Sequence, residues 1–397
     1  MKRSIHLWLT AGFILLFAIG FAWRHPRTAP LPANAALGYG GPIAIALTAS
    51  STGEITDVKV ARHNETPSYV TGMPEFLRQF NGRTVHSPLK LGHGIDAMSG
   101  ATVTSRAILL AVKKDLFGKM NLPLPADDTA GDFPWAQVLA PLFLWLIALA
   151  ALLRRSSALR WAAMAGGFVY FGFITHTMLS IVQVVQAGIW HIPGFRDDPL
   201  WWLLMATGLA GGFLFGRVYC GSLCPFALVH ELLHLLVRRK RPASPGISPN
   251  LDRNARLIKY ALLFVITGLC FVLGNAAAAN MEPFITLFSG HGGKMAWFFL
   301  ALMFVMGIFY FRAWCAYLCP VGALTGLVAL FSVNKIVPAK TCTACDICAN
   351  ACPSNAIAKG AHARPVVDMT ECIACAKCLR ACPVNALQWK RGPDEKA

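Results

Sequence analysis

The C-terminal stretch reads Cys342-Thr-Ala-Cys345-Asp-Ile-Cys348-Ala-Asn-Ala-Cys352-Pro353, and the same spacing returns as Cys372-Ile-Ala-Cys375-Ala-Lys-Cys378-Leu-Arg-Ala-Cys382-Pro383. Three thiolates in a tight loop can cap one face of an iron–sulfur cube. The fourth, further along the chain, reaches across to the other cluster. Cys342, Cys345, Cys348 and Cys382 are therefore expected to hold one [4Fe–4S] cluster, and Cys372, Cys375, Cys378 and Cys352 a second. Zinc knuckles are the rival, but they expect two CxxC pairs per site and leave the repeated fourth cysteine and its proline unexplained.

Outward from this tail the chain changes character. Of its 397 residues 55% are hydrophobic and 14% charged, and the mean hydropathy is +0.51, too apolar for a single soluble domain. Apolar segments near Ile5–Trp23, Trp135–Leu153, Trp161–Val184, Leu200–Val218, Leu257–Leu273 and Ala296–Phe311 approach the roughly 20 residues that cross a bilayer. The formal charge of +17 gathers beside these segments, as in Arg154-Arg155 and Arg238-Arg239-Lys240-Arg241. It reads as membrane topology rather than nucleic-acid binding. With Lys2-Arg3 in the cytoplasm, Arg154-Arg155-Arg160, the Arg238–Arg241 block, Arg253-Arg256-Lys259, and Arg312 with Lys335 all fall on the cytoplasmic side. Residues 24–133 are then outside and the tail from about 335 inside.

The expected organisation is a multidomain membrane protein: a transmembrane anchor over 1–24, a small α+β domain over 36–120, a helical core over 134–334 giving about six spans in total, and a bacterial-type 2[4Fe–4S] ferredoxin domain over 335–391. The first segment reads as an uncleaved anchor, because Arg24, His25 and Arg27 separate it from the Ala33-Asn34-Ala35 sequence that resembles a cleavage site. Alternation in Ile43–Leu47 and Ile55–Val60 predicts strands around Ser51-Thr52-Gly53, and Ser105–Phe117 predicts an amphipathic helix.

Twelve of the thirteen cysteines fall in spaced motifs. Besides the tail's eight there are Cys220-Gly-Ser-Leu-Cys224-Pro225 and Cys315-Ala-Tyr-Leu-Cys319-Pro320, each just past the end of an expected span. A spacing of i and i+4 puts both sulfurs of a pair on one helical face, so Cys220, Cys224, Cys315 and Cys319 could share an additional metal centre of unspecified kind. The plain alternative is a pair of membrane-end thiols followed by a structural proline. Cys270, alone in an apolar run, reads as a small buried hydrophobe.

Asp96-Ala-Met-Ser99-Gly100-Ala101-Thr102-Val-Thr104-Ser105 precedes the predicted helix. Small residues and helix-start N–H groups suit a phosphate, although Ser or Thr there also serves as an ordinary N-cap. His230-Glu231-Leu-Leu-His234 matches the HExxH pattern of zinc proteases. Without a third-ligand motif, and next to a basic block, it reads instead as an interfacial amphipathic helix. His176, expected mid-membrane, is a candidate quinone or proton site or a hydrogen-bonded packing histidine.

At Ser99-Gly100-Ala101-Thr102 the sequence resembles the FMN-binding domain of the peripheral subunits of Rnf and Na⁺-pumping quinone reductases. The resemblance implies that a flavin transferase esterifies FMN through its phosphate to Thr102, with Thr104 as the competing acceptor. Gly38–Ile43 and the run His63-Asn64-Glu65-Thr66-Pro67 resemble the same domain, which implies that Glu65 and Thr66 lie at the flavin, although Ser68 stands where a glycine is common. Domain, core, paired CxxxCP motifs and dicluster tail together resemble the NosR/NirI family, and core plus tail also resemble NapH-type quinol dehydrogenase subunits. The outer domain is shorter than in full-length NosR proteins. The resemblance implies a bacterial inner-membrane electron carrier with a periplasmic FMN and cytoplasmic clusters, no nucleic-acid partner, the quinone pool on one side, and a periplasmic reductase, nitrous oxide reductase among the candidates, on the other. A maturation or regulatory role for a periplasmic metalloenzyme is the alternative.

Overall fold

The computed structural model describes residues 3–24, 32–38, 40–63, 65, 70, 72–92, 94–98, 102–124, 135–196, 198–237, 248–279, 283–290, 293–358 and 364–391. Their buried apolar side chains form three hydrophobic cores, one each for the outer domain, the helical core and the tail.

The apolar run near the N-terminus folds as α1 (Arg3–Arg24). The outer domain follows as an antiparallel sheet of β1 (Ala35–Leu37), β2 (Pro42–Ala49) and β3 (Ile55–Arg62), with α2 (Met73–Arg78) and α3 (Thr102–Lys119). The alternation in β2 is a true two-residue period: Ile43, Ile45 and Leu47 are buried against α3's Ile108, Val112 and Leu116, as a sheet with one packed face requires. The hairpin turns where Gly53 takes φ +78, a conformation that costs glycine nothing. The helix begins at Thr102, three residues earlier than its apolar period indicates.

Among the described residues, three helices are long and apolar enough to cross a membrane by length and composition: Ser4–Arg24, Trp135–Leu153 (α4) and Asn250–Leu273. The expected span Trp161–Val184 is not one helix. α5 (Ser157–Gly167) widens into a π-helical turn over Phe168–Ile174, and α6 (Ile181–Gly188) starts afresh. Between them His176 takes φ +49, unusual for a residue with a Cβ. Ser180 and Gln183 then form a capping box that restarts the helix. Apolarity alone could not reveal this break, because the segment is apolar on both sides of it, with Val169, Phe173 and Ile174 exposed before it and Ile181, Val182 and Val185 buried after it.

The core continues with α7 (Pro199–Phe215), α8 (Val218–Ser222), α9 (Pro225–Val237), α10 (Pro249–Ala255), α11 (Ile258–Leu273), α12 (Pro283–Ser289), α13 (Lys294–Phe309) and α14 (Pro320–Ala329). α1 runs parallel to α11. The His6 ring meets Tyr260 with centroids 5.6 Å apart, Phe13 meets Phe264 at 5.9 Å, and at the far end Arg24 Nε donates to the Phe271 carbonyl at 2.7 Å.

The tail is a pseudo-symmetric pair. β4 (Asn334–Pro338) pairs antiparallel with β7 (Leu387–Arg391), and β5 (Ile357–Ala358) pairs with β6 (Val366–Val367). α15 (Ile347–Ala351) and α16 (Lys377–Ala381) follow the two cysteine loops. Positive φ recurs at Ala344 and Ala374, at Asp346 and Ala376, and at Asn355 and Asn385. Strained residues repeated at matching places in two loops mark loops shaped around something they hold.

Candidate iron–sulfur and flavin sites

Cys352, Cys372, Cys375 and Cys378 line a single cavity, closed by Ile336, Val367 and other apolar neighbours. This is the crosswise set: the last cysteine of the first motif joins the first three of the second. The Cys372 thiol interacts electrostatically with Cys352, Cys375 and Cys378. The fourth cysteines are held alike, Cys352 Sγ accepting from the Ala356 N–H at 3.4 Å and Cys382 Sγ from Ala386 at 3.2 Å. In the other loop the Cys348 thiol interacts with Cys342 and Cys345. Donor type, cavity and backbone N–H groups all fit a thiolate-bound cluster. Among the described residues no three Cys, His, Asp or Glu side chains converge on one ion-sized position.

The two CxxxCP motifs meet in the core. Neither is a continuous α-helix, as the i, i+4 reading expected. α8 stops at Ser222 and the second motif is a π-helical turn over Trp314–Leu318. Cys224 and Cys319 instead cap the following helices, taking the Ala227 and Gly322 N–H groups. Cys224 interacts electrostatically with Cys220 and Cys315, and Cys220 Sγ lies 3.5 Å from Thr325 Oγ1 on α14.

Two arginines enclose these thiols, and sequence reasoning had counted one of them, Arg312, only as a topology charge. Arg217 and Arg312 are each 2% exposed. Each stands three residues before its motif and reaches across to the other. Arg312 donates to the Cys220 and Gly221 carbonyls, while Arg217 packs against Gly322 and faces Cys220 and Cys315. Nε of both and Nη2 of Arg217 meet no acceptor among the described residues. Buried guanidinium groups left short of acceptors beside thiols suit an anionic centre. The repeated signal, Arg217-Val-Tyr-Cys220 and Arg312-Ala-Trp-Cys315, was visible in the sequence.

Two buried carboxylates complete the network. Glu231 pairs with Arg160 and Arg312, both at 2.5 Å. Glu371 pairs with Lys259 at 2.6 Å, Arg256 at 3.0 Å and Arg217 at 3.6 Å. Burial alone would raise the Glu371 carboxyl, but the surrounding Lys259, Arg256 and Arg217 charges hold it down at about 2. Arg256, Lys259 and Lys335, read from the sequence as topology charges, are all buried in the protein. The HExxH segment is an amphipathic stretch of α9 that exposes Leu232, Leu235 and Leu236. His230, Glu231 and His234 are buried in α9, and Glu231 is committed to its two arginines.

In the outer domain Glu65 is buried and accepts from Thr104 Oγ1 at 2.5 Å and from the Gly40 N–H at 2.8 Å. Burial pushes its carboxyl up against the lowering effect of these two donors. A Cβ at Gly38 would stand 2.5 Å from Glu65 Oε1, so a glycine lets this loop close on the carboxylate. Thr102 is the first residue of α3. Ser99, Gly100, Ala101 and Thr66, and the Arg238–Arg241 block, lie outside the described residues. His176 is half-buried at the break between α5 and α6.

Residues 38–116 match the FMN-binding domain family, residues 198–244 and 294–338 a 4Fe–4S binding domain, and residues 341–391 a 4Fe–4S dicluster domain. The second of these covers both CxxxCP motifs. Among curated proteins, the regulatory protein NosR of Pseudomonas aeruginosa is 33% identical over 217 residues, 51% of this chain and 30% of that protein. The protein NirI of Paracoccus denitrificans is 32% identical over 203 residues, 47% of this chain and 30% of that protein. The methylamine utilization ferredoxin-type protein MauN of Paracoccus denitrificans is 27% identical over 226 residues, 53% of this chain and 75% of that protein. The chain thus spans under a third of the length of these NosR and NirI relatives. No solved structure matches. It is an FMN-binding domain joined to 4Fe–4S ferredoxin domains through apolar helices, homologous over about half its length to NosR and NirI.

Proposed function

We propose that this chain conducts electrons across the bacterial cytoplasmic membrane, between two [4Fe–4S] clusters in a cytoplasmic tail and FMN esterified to Thr102 in a periplasmic domain. The observation that carries the reading is the path of α1. His6, near its N-terminal end, lies 3.3 Å from Thr370 Oγ1 of the tail, and Arg24, at its other end, leads to the flavin domain. A helix of this length, about 1.5 Å per residue, spans a bilayer, so the two redox domains attach to opposite ends of one membrane helix. Because Thr104 is committed to Glu65, Thr102 at the start of α3 is the acceptor in this reading, with its phosphate beside helix-start N–H groups.

The CxxxCP thiols, with Arg217 and Arg312 as counter-charges, hold a third centre, and the match of this region to a 4Fe–4S binding domain supports a cluster there. Bound clusters supply single-electron steps and the flavin supplies both one- and two-electron chemistry. The chain's own residues fix the thiolates, neutralise them and exclude water. His176, at the helix break, is the candidate quinol contact. The outer partner is a periplasmic reductase, with nitrous oxide reductase among the candidates.

Elemental analysis tests the composition. About twelve iron and twelve sulfide per chain, one flavin and no zinc are expected from three clusters. About eight iron would remove the CxxxCP centre, and stoichiometric zinc would overturn the cluster reading. The printed name of NosR, a regulatory protein, favours a second reading, support or regulation of a separately matured reductase. That reading predicts undiminished reductase turnover when this chain is deleted after maturation is complete.

A further inference from the structure

We infer that the Cys372–Cys378 loop, and not the Cys342–Cys348 loop, is where the tail exchanges electrons with the membrane core, seated on the first CxxxCP motif by Gly216, Gly221 and Gly326. The inference rests on the reading that the CxxxCP thiols hold a metal centre. Three core glycines face three backbone carbonyls of the tail within residues 370–373. A Cβ at Gly221, inside Cys220-Gly221-Ser222-Leu223-Cys224, would lie 1.9 Å from the Ile373 carbonyl oxygen. One at Gly326 would lie 2.8 Å from Thr370 O, and one at Gly216 would lie 4.0 Å from Cys372 O. Only the absence of a side chain lets the loop backbone rest on the motif at Gly221 and on α14 at Gly326.

Electrostatics hold the same segment. Glu371, between Thr370 and Cys372, is clasped by Lys259, Arg256 and Arg217 of the core. Arg217 also donates to Thr370 O at 3.3 Å, and Arg256 donates to Ser354 O at 3.0 Å, two residues beyond Cys352 of the same cluster set. A cavity lined by Arg217, Arg256, Arg312, Cys315, Pro353 and Ile373, among others, joins the two sites. The other loop faces away: Cys345, alone among the thirteen cysteines, is exposed. Electronic coupling falls steeply with separation, so the seated loop is the inward station and the exposed loop the outer one. Transfer across this contact moves one electron and no atoms; one centre is oxidised as the other is reduced.

The test uses full-length, cluster-loaded protein and the electron-spin relaxation of the CxxxCP centre, a readout independent of turnover. The double variant C342S/C345S should keep the fast relaxation caused by a neighbouring reduced cluster, and C375S/C378S should lose it, each with about eight iron per chain. The reverse pattern, or fast relaxation in both, would overturn the inference. A wild type with about eight iron and no third signal would defeat the CxxxCP reading itself, and the inference with it. Gly221→Val separates docking from ligation: full iron content with lost relaxation enhancement and faster tryptic release of the tail is expected, and unchanged relaxation at full iron content contradicts the assigned seat.

Discussion

Glu371→Ala is expected to loosen the ferredoxin tail from the core and to lower stability by about 3–5 kcal/mol, the usual cost of leaving buried charge without its partner. The carboxylate is 5% exposed and Lys259 is 0% exposed, so little water is available to replace the lost ion pairs. Three cations, Lys259, Arg256 and Arg217, lose their shared anion at once. The change should appear as a lower unfolding midpoint in detergent and as faster proteolysis between the core and Cys342. The partner variant Lys259→Met should be milder, because Glu371 retains two arginines. Combining Glu371→Leu with Lys259→Met should recover part of the loss, since apolar packing often substitutes for a buried pair. An unchanged midpoint in Glu371→Ala would mean that the tail is held by other contacts.

Thr102→Ala is expected to abolish covalent flavin, leaving no fluorescent band after denaturing electrophoresis, while the outer domain stays folded. Thr104→Ala should do the opposite. It removes one of the two donors to buried Glu65, at a cost of about 1–3 kcal/mol, and so lowers the melting temperature of the domain while the flavin remains attached. Attached flavin in Thr102→Ala together with its loss in Thr104→Ala would move the linkage.

In the proposed reading the two variants separate because the threonines, two positions apart, do different work. That difference illustrates what the sequence carries. The tail's ferredoxin character was readable because its cysteines follow a local spacing, each within a few residues of the next in its loop, and the positive φ at Ala344 and Ala374 repeats with it. Strand β2 was readable because one face is packed and the period of two survives, whereas in β3 the buried positions, Ile55 and Val58, stand three apart. The interior ion network was not. Glu371 and Lys259 are 112 positions apart in the chain, and basic residues beside apolar segments look the same whether they sit in a loop or pair inside the core. The arginines ahead of Cys220 and Cys315 were readable in principle, since each precedes its motif by the same interval. The break at His176 left no trace, because Phe168–Ile174 and Ile181–Val185 are equally apolar on both sides of it.

The most direct test of the account is flavin reduction from the far side of a sealed membrane. In vesicles carrying the full-length, loaded protein with its tail outward, a membrane-impermeant reductant should bleach the clusters and then the flavin of wild type, while the C375S/C378S variant keeps its flavin oxidised. Clusters that bleach in wild type while the flavin stays oxidised, or a flavin reduced equally fast in the variant, would contradict conduction through this chain.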